Sequence, residues 1–178
     1  MINQKIQDKI NDQIQAEFQS GWLYLAMAGW FEERNLDGFA HWMRQQWQEE
    51  QRHAMKFYDH LLRRDGSVEL QALDKPEIEA ETAEEIFQTV LDHEKYVTKR
   101  INKLYTMAQE ENDYPLETLL QWFIDEQVEE EEVALSILEK IKMVGGEGYG
   151  LYLLDQEMAK RGTGSDTSEA ESSNAQAE

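Results

Sequence analysis

Glu17, Glu50, His53, Glu94 and Glu130 are the side chains whose type and spacing could do chemistry. Each of the four glutamates interrupts a run of apolar residues recurring at steps of three and four. Around Glu17 the run reads Ile10, Ile14, Gly21, Tyr24, Ala28, Phe31. Around Glu50 it reads Phe39, Met43, Gln46, His53, Phe57, His60. Glu94 stands among Phe87, Val90, Val97, Ile101, Leu104 and Ala108, and Glu130 among Leu116, Leu120, Phe123, Gln127, Ala134, Ile137 and Ile141. Such a stripe is the buried face of a helix. One acid in one stripe reads as a rim residue, but four mid-stripe acids would meet at one level of an antiparallel bundle. Burying unpaired carboxylates costs several kcal/mol each or forces protonation, which a marginally stable domain cannot easily absorb. Two divalent cations balance four carboxylates, and no Lys or Arg stands mid-stripe to serve instead. His53, three residues after Glu50, adds an imidazole on the same face. Carboxylates with one imidazole and no thiolate suit iron or manganese and do not resemble a structural zinc site.

The elements that must position these residues are five helices, over about 3–34, 39–64, 82–111, 115–144 and 147–161. Asn35-Leu36-Asp37-Gly38 ends the first, with Asp37 able to cap the second. Thr82 and Glu85 form a capping box for the third, Pro115 suits the first turn of the fourth, and Gly145-Gly146 stops it. Short turns make the first and second helices, and the third and fourth, antiparallel pairs. The stretch 67–81 is long enough, at ~3.3 Å per residue, to run the length of a bundle. The fold class is all-α: a four-helix bundle with one long crossover and a short fifth helix, spanning 1–161 as one domain. Residues 162–178, rich in Gly, Ser, Thr and Glu without aromatics, read as a disordered tail.

The 178 residues carry 37 acidic and 17 basic side chains, a formal net charge of −20. That balance argues against nucleic acid or an anionic membrane as partner and points toward cations. Cysteine is absent, which excludes disulfides, thiolate zinc sites and iron–sulfur clusters and fits a reducing compartment. MINQKIQDKI holds no apolar run suited to a signal peptide, and no stretch approaches the ~18 apolar residues of a membrane helix. A cytoplasmic location is the expectation.

Beyond these patterns, the chain resembles the bacterial non-haem ferritins over about 1–161. The resemblance rests on the segment around Glu17 and Tyr24, on Glu49-Glu50-x-x-His53, on Glu94, and on Leu120-Gln121-Trp122 with Glu126-Gln127-x-x-Glu130. Gly146-Glu147-Gly148 to Leu151-Tyr152 resembles the entry to that family's fifth helix. The resemblance implies a ferroxidase centre in which Glu17, Glu50 and His53 hold a first iron, Glu50 bridges, and Glu94 and Glu130 hold a second. Gln127 would line the site as a hydrogen-bond partner. Glu49, Glu126, Glu129 and Glu130 would form a third, flanking iron site. The competing reading of 129–132 is a solvated acidic face. Haem-containing relatives have a methionine after the second-helix glutamate and a second Glu-x-x-His in the fourth helix. Here Gln51 and Gln127-x-x-Glu130 occupy those places, so no haem is expected.

The function implied is iron storage. Fe(II) is oxidised by O₂ or H₂O₂ at the intrabundle pair, and ferric mineral is laid down inside a cage of 24 subunits. Two other readings share these ligands: a di-iron or manganese–iron oxidase with resident metals, and a non-catalytic, metal-stabilised scaffold. Tyr24, on the stripe two turns from Glu17, could supply a further electron, against a role as a core tyrosine with a satisfied hydroxyl. Trp22, Trp30, Trp42, Trp47 and Trp122 read as packing residues. His41, His60 and His93 read as surface or bundle-end residues. Leu151, Leu153, Leu154 and Met158 make the fifth helix apolar enough to pack on neighbours, and Glu111, Asp113 and Glu117 are candidates for lining an entry pore.

Overall fold

The structure, a computed structural model, describes residues 2–160. The expected tail at 162–178, and the last residue of the domain assigned to 1–161, lie outside the described residues. Five helices follow in order: α1 (Gln4–Glu32), α2 (Asp37–Arg63), α3 (Ala83–Glu110), α4 (Tyr114–Met143) and α5 (Gly148–Met158). The first four are each about 40 Å long at ~1.5 Å per residue. α1 packs along α2, α3 along α4, and α5 sits on α2. No described helix is long and apolar enough to cross a membrane.

Local chemistry sets the helix ends. All four long helices stop in the same way, with a residue in the left-handed region and a six-to-one backbone hydrogen bond behind it. Asn35, Asp65, Asn112 and Gly145 take positive φ of 58°, 54°, 56° and 83°. The bonds run from Leu36 N to Phe31 O, Gly66 N to Leu61 O, Asp113 N to Ala108 O and Gly146 N to Ile141 O. Asn and Asp tolerate this conformation because their short side chains bond locally. At the other ends, Asn3, Thr82 and Asp113 accept from Lys5 N, Glu85 N and Leu116 N, and the capping box of Thr82 and Glu85 is complete.

The start of α2 departs from expectation. Asp37 is its first helical residue, and Leu36, at the cap position, offers no side-chain bond. The cap comes instead from α5: buried Asp155 accepts from Phe39 N at 3.0 Å. Gly38 makes the approach possible, since a Cβ there would lie 1.8 Å from Asp155 O.

The crossover lies along the polar face of α1, where amide side chains four residues apart bind its backbone. Gln7 accepts from Ser67 N; Asn11 donates to Ser67 O and accepts from Glu69 N; Gln15 donates to Ala72 O. Gln19 donates to Asp74 O and accepts from Asp74 N, and Trp30 Nε1 donates to Ala80 O. These bonds satisfy the backbone of a segment with no ladder of its own.

The core divides into two apolar halves. One joins Tyr24, Met27 and Phe31 of α1 to Phe39 and Met43 of α2, Phe87 and Val90 of α3, Ile137 and Ile141 of α4, and Leu154 and Met158 of α5. The other joins Ile6, Ile10, Ile14, Phe57, Leu61, Val97, Ile101, Leu116, Leu120 and Phe123. On every long helix the seam glutamate falls between the two halves.

One expectation needs correction. Trp22 is 46% exposed and is not a core residue. Near the α3–α4 turn, Asp113 and Glu111 have partners within the chain. Asp113 is buried, caps α4 and binds Arg64 Nη1 at 2.5 Å, while Glu111 accepts from Asn3 and Lys5 of α1. α5 divides as expected: Leu154 and Met158 enter the core, while Tyr149, Tyr152 and Leu153 remain exposed.

Candidate metal centre

The polar layer between the two core halves brings all five expected residues together. Glu17, Glu50, His53, Glu94 and Glu130 are buried, and so are Gln127, Tyr24 and Glu49. Gly21, one turn beyond Glu17, lets α1 and α2 approach closely, since a Cβ there would stand 3.3 Å from Glu50 Cβ and from Trp47 O.

Most of these carboxylates are held by an oriented donor. Gln13 Nε2 donates to Glu17 Oε1 at 2.8 Å, and Gln46 Nε2 donates to both oxygens of Glu130 at 3.2 and 3.1 Å. Glu94 accepts from the Tyr24 hydroxyl through one oxygen and from Gln127 Nε2, at 3.2 Å, through the other. Gln127 thus acts on Glu94 through its amide N–H. Such partners fix the rotamers of the groups that would meet a metal. Arg100 extends the network outward, donating through Nε to Gln13 Oε1 at 3.1 Å and through Nη2 to Asp12 O at 2.8 Å.

Glu50 differs. Its Oε2 is a buried oxygen without a hydrogen-bond partner, and His53 Nδ1 stands 3.6 Å from it. Glu17, Glu50 and His53 each offer a ligand atom, all within 4.8 Å of one another, and Glu49, His53 and Glu126 form a second such group. His53 belongs to both, with Nε2 3.8 Å from Glu126 Oε1. Its ring is wedged edge-on against Trp122 and Phe123, with centroids 5.5 and 5.6 Å away. Glu129 is exposed.

The electrostatics are those of a site built for cations. Burial pushes the carboxyls of Glu17, Glu50, Glu94 and Glu130 upward, and the neighbouring acids push Glu50 and Glu130 further. Glu126, half buried beside Glu49 and Glu129, is raised to about 7. Burial lowers His53 to about 3, helped by Lys56 and Arg52, so its imidazole is neutral and keeps a lone pair for a metal. Burial and Glu94 hold the Tyr24 phenol well above its ordinary value. Each raised carboxyl holds its proton more tightly than a free one.

Sequence reasoning did not assign roles to Gln13, Gln46 or Arg100, and its reading of His93 as a surface or bundle-end residue needs correction: the ring lies beside the polar layer. Gln13 lies four residues before Glu17, a helical spacing visible in the chain. Gln46 lies four before Glu50 yet serves Glu130 across the bundle, which spacing does not reveal. His41 is exposed, and His60 accepts from Arg64 at 3.2 Å at the bundle end, as expected. His93 is half buried, bonded to Ser20 Oγ at 2.8 Å and edge-on to Tyr24.

Comparison with known proteins agrees with this geometry. The Ferritin family model, described as a ferritin-like domain, matches residues 7–144. A bacterial non-heme ferritin of Bacteroides fragilis is 38% identical over 161 residues, covering 90% of this chain and 100% of the relative. A bacterial non-heme ferritin of Escherichia coli O157:H7 is 33% identical over 159 residues, covering 89% of this chain and 96% of the relative. The crystal structure of an open-pore ferritin from the archaeon Archaeoglobus fulgidus superposes with a TM-score of 0.89 at 44% identity, covering 91% of this chain and 100% of that one. A bundle interrupted on all four helices by buried glutamates, with Glu50-x-x-His53 among them, is therefore part of a wider pattern: the chain belongs to the ferritin family.

Proposed function

We propose that the chain oxidises Fe(II) at the carboxylate layer and stores the ferric product inside a cage of its own copies. The observation that carries this reading is the central, unpartnered Glu50 Oε2, buried among Glu17, Glu94 and Glu130, whose charges repel its own. Iron here is substrate and cargo.

Glu17, Glu50 and His53 take the first ferrous ion, and Glu94 and Glu130 the second, with Glu50 between. Each ion displaces protons that the acids hold in the metal-free protein. The oxygen-rich ligands favour Fe(III) over Fe(II) and so drive oxidation. Each of two Fe(II) gives one electron to O₂, which with two protons becomes H₂O₂, itself an oxidant for further Fe(II). Gln13, Gln46, Gln127 and Tyr24 orient the carboxylates. Glu49 and Glu126 form a third, flanking iron site with Glu129 and Glu130. Support for that site is the approach of Glu49, His53 and Glu126 ligand atoms to within 4.8 Å of one another. A 24-subunit cage is supported by the exposed apolar Tyr149, Tyr152 and Leu153 on α5, a face that a neighbour would cover. A reducing, cytoplasmic setting would keep iron ferrous until it reaches the centre.

Mixing the metal-free protein with Fe(II) and O₂ tests the proposal. Fast oxidation continuing well beyond two irons per chain supports storage. Oxidation that stops at two marks a resident cofactor, and no oxidation marks a scaffold. Light scattering showing a monomer or dimer would overturn the cage.

A further inference from the structure

A chain of rings leads from the metal layer to the protein surface. Tyr24 donates its hydroxyl to Glu94 and is buried. Two rings lie edge-on to it: Trp42, with centroids 6.2 Å apart, and His93, at 6.4 Å. The first leads inward, since Trp42 packs at 5.3 Å on Phe87, in a cluster with Phe31, Phe39 and Trp30. The second leads outward. His93 lies 6.2 Å from Tyr96, which is 51% exposed. The bridging imidazole is held in one orientation. Ser20 donates its single hydroxyl proton to Ala16 O at 3.0 Å, so at 2.8 Å its oxygen accepts from His93 Nε2.

Tyr96 also stands in unusual surroundings for so acidic a chain. It lines a groove of about 300 Å³ with Lys9, Arg100 and Lys103, in which Asp12 is the single acid. Arg100 Nη1 donates to the Tyr96 hydroxyl at 3.2 Å, and its guanidinium carbon lies 5.8 Å from the ring centroid. An oxidisable phenol at the end of a ring chain, in a positively lined groove, suits contact with a small anionic electron donor.

We infer that Tyr24, His93 and Tyr96 form a one-electron relay by which a small anionic reductant at the Tyr96 groove restores the metal layer after it has drawn an electron from Tyr24. This rests on the ferroxidase reading above. Reduction of O₂ to two waters, by way of the H₂O₂ that the iron pair forms, takes four electrons in all and four protons from solvent. Three Fe(II), the pair and a third at the flanking site, supply three electrons, and Tyr24 supplies the fourth. Tyr24 becomes a neutral phenoxyl radical, its proton passing to Glu94. An electron then moves from Tyr96 across His93 to Tyr24, which takes its proton back from Glu94. Tyr96 becomes the phenoxyl, releasing its own proton to solvent. The anionic donor, losing one electron, reduces Tyr96, which regains a proton from water. His93 is a bridge throughout and is not itself oxidised.

The test is freeze-quench electron paramagnetic resonance on the full chain mixed with three Fe(II) per subunit and excess O₂, with and without ascorbate as the probe. Tyr96→Phe is the variant, since phenylalanine keeps the ring and removes the oxidisable phenol. In the unaltered protein a tyrosyl signal is expected to form and to decay at least ~10-fold faster with ascorbate. In Tyr96→Phe the initial iron-oxidation rate is unchanged, while the signal persists and its ascorbate acceleration falls to less than ~2-fold. Equal decay in the two proteins, or no tyrosyl signal in either, overturns the relay while leaving the ferroxidase reading intact. Loss of iron oxidation in the unaltered protein overturns both.

Discussion

His53 presents its two ring nitrogens to different carboxylates: Nδ1 lies 3.6 Å from Glu50 Oε2 and Nε2 lies 3.8 Å from Glu126 Oε1. One imidazole therefore connects the central pair of acids to the flanking ones. Replacing it with His53→Gln removes the nitrogen donor from both groups at once. Rapid Fe(II) oxidation should slow by about 10-fold or more, the order of loss that follows from disturbing a metal's immediate surroundings. Glu126→Gln should leave the fast phase of the first two irons near its original rate and reduce only the uptake of a third. Stopped-flow absorbance with anaerobic Fe(II) titration separates the two. Equal effects from the two variants would mean that Glu126 serves the central pair directly.

Among the described residues, Glu50 Oε2 is the buried side-chain oxygen without a hydrogen-bond partner. Glu50→Ala should abolish the fast oxidation phase, leaving the slow background reaction. The substituted chain should still assemble, because the apolar halves above and below the layer are untouched. Stopped-flow rates and light scattering check the two halves of this statement. A rate equal to that of the unaltered chain would show the centre to be elsewhere.

The metal-free protein should lose stability as pH rises. Glu126 has a folded value of about 7 against an ordinary carboxyl value of 4.5. Between these values the folded state binds the proton that the unfolded state has released, so its stabilising contribution is full below about 4.5 and is lost as pH climbs to about 7. Glu17, Glu50, Glu94 and Glu130 shift in the same direction. His53 acts oppositely. Its folded value of about 3 lies below the ordinary imidazole value of 6.5, so it contributes above 6.5 and its contribution fades as pH falls toward 3. Five acids outweigh one imidazole, so the melting temperature of the metal-free chain should fall from pH 5 to 8. A redox-inert divalent ion should raise it most at the alkaline end, with release of protons on binding. Calorimetry across that range checks this; a metal-free melting temperature that rises with pH would contradict it.

The contact between α5 and α2 can be probed apart from the metal layer. Asp155→Ala removes the donated cap at Phe39 N and should cost about 1 kcal/mol, as other helix caps do. Gly38→Ala should cost more, about 1–3 kcal/mol, because its Cβ meets a backbone carbonyl that cannot turn aside. Denaturant unfolding measures both. In each variant α5 should loosen before the bundle does, seen as faster amide exchange over residues 148–158.

The seam acids were legible in the chain because a buried helical stripe has a fixed period, and a glutamate in that stripe is conspicuous whatever its neighbours do. Period, caps and turn residues likewise place five helices and two antiparallel pairs to within a few residues. Period alone does not say which donor meets which acceptor across the bundle. Gln46 shares a helix with Glu50 yet binds Glu130, and Asp155, more than a hundred residues beyond Phe39, caps the helix that Asp37 was expected to cap. Asp113 and Glu111, equally acidic in the sequence, are engaged by Arg64 and by α1. The sequence by itself determined the helices and the polar layer of four glutamates and an imidazole, because these follow from local spacing. Only the tertiary structure decided which carboxylate is left without a partner, that His53 faces two groups, and that Tyr96 stands one ring beyond His93, because each depends on how separate helices rotate and meet.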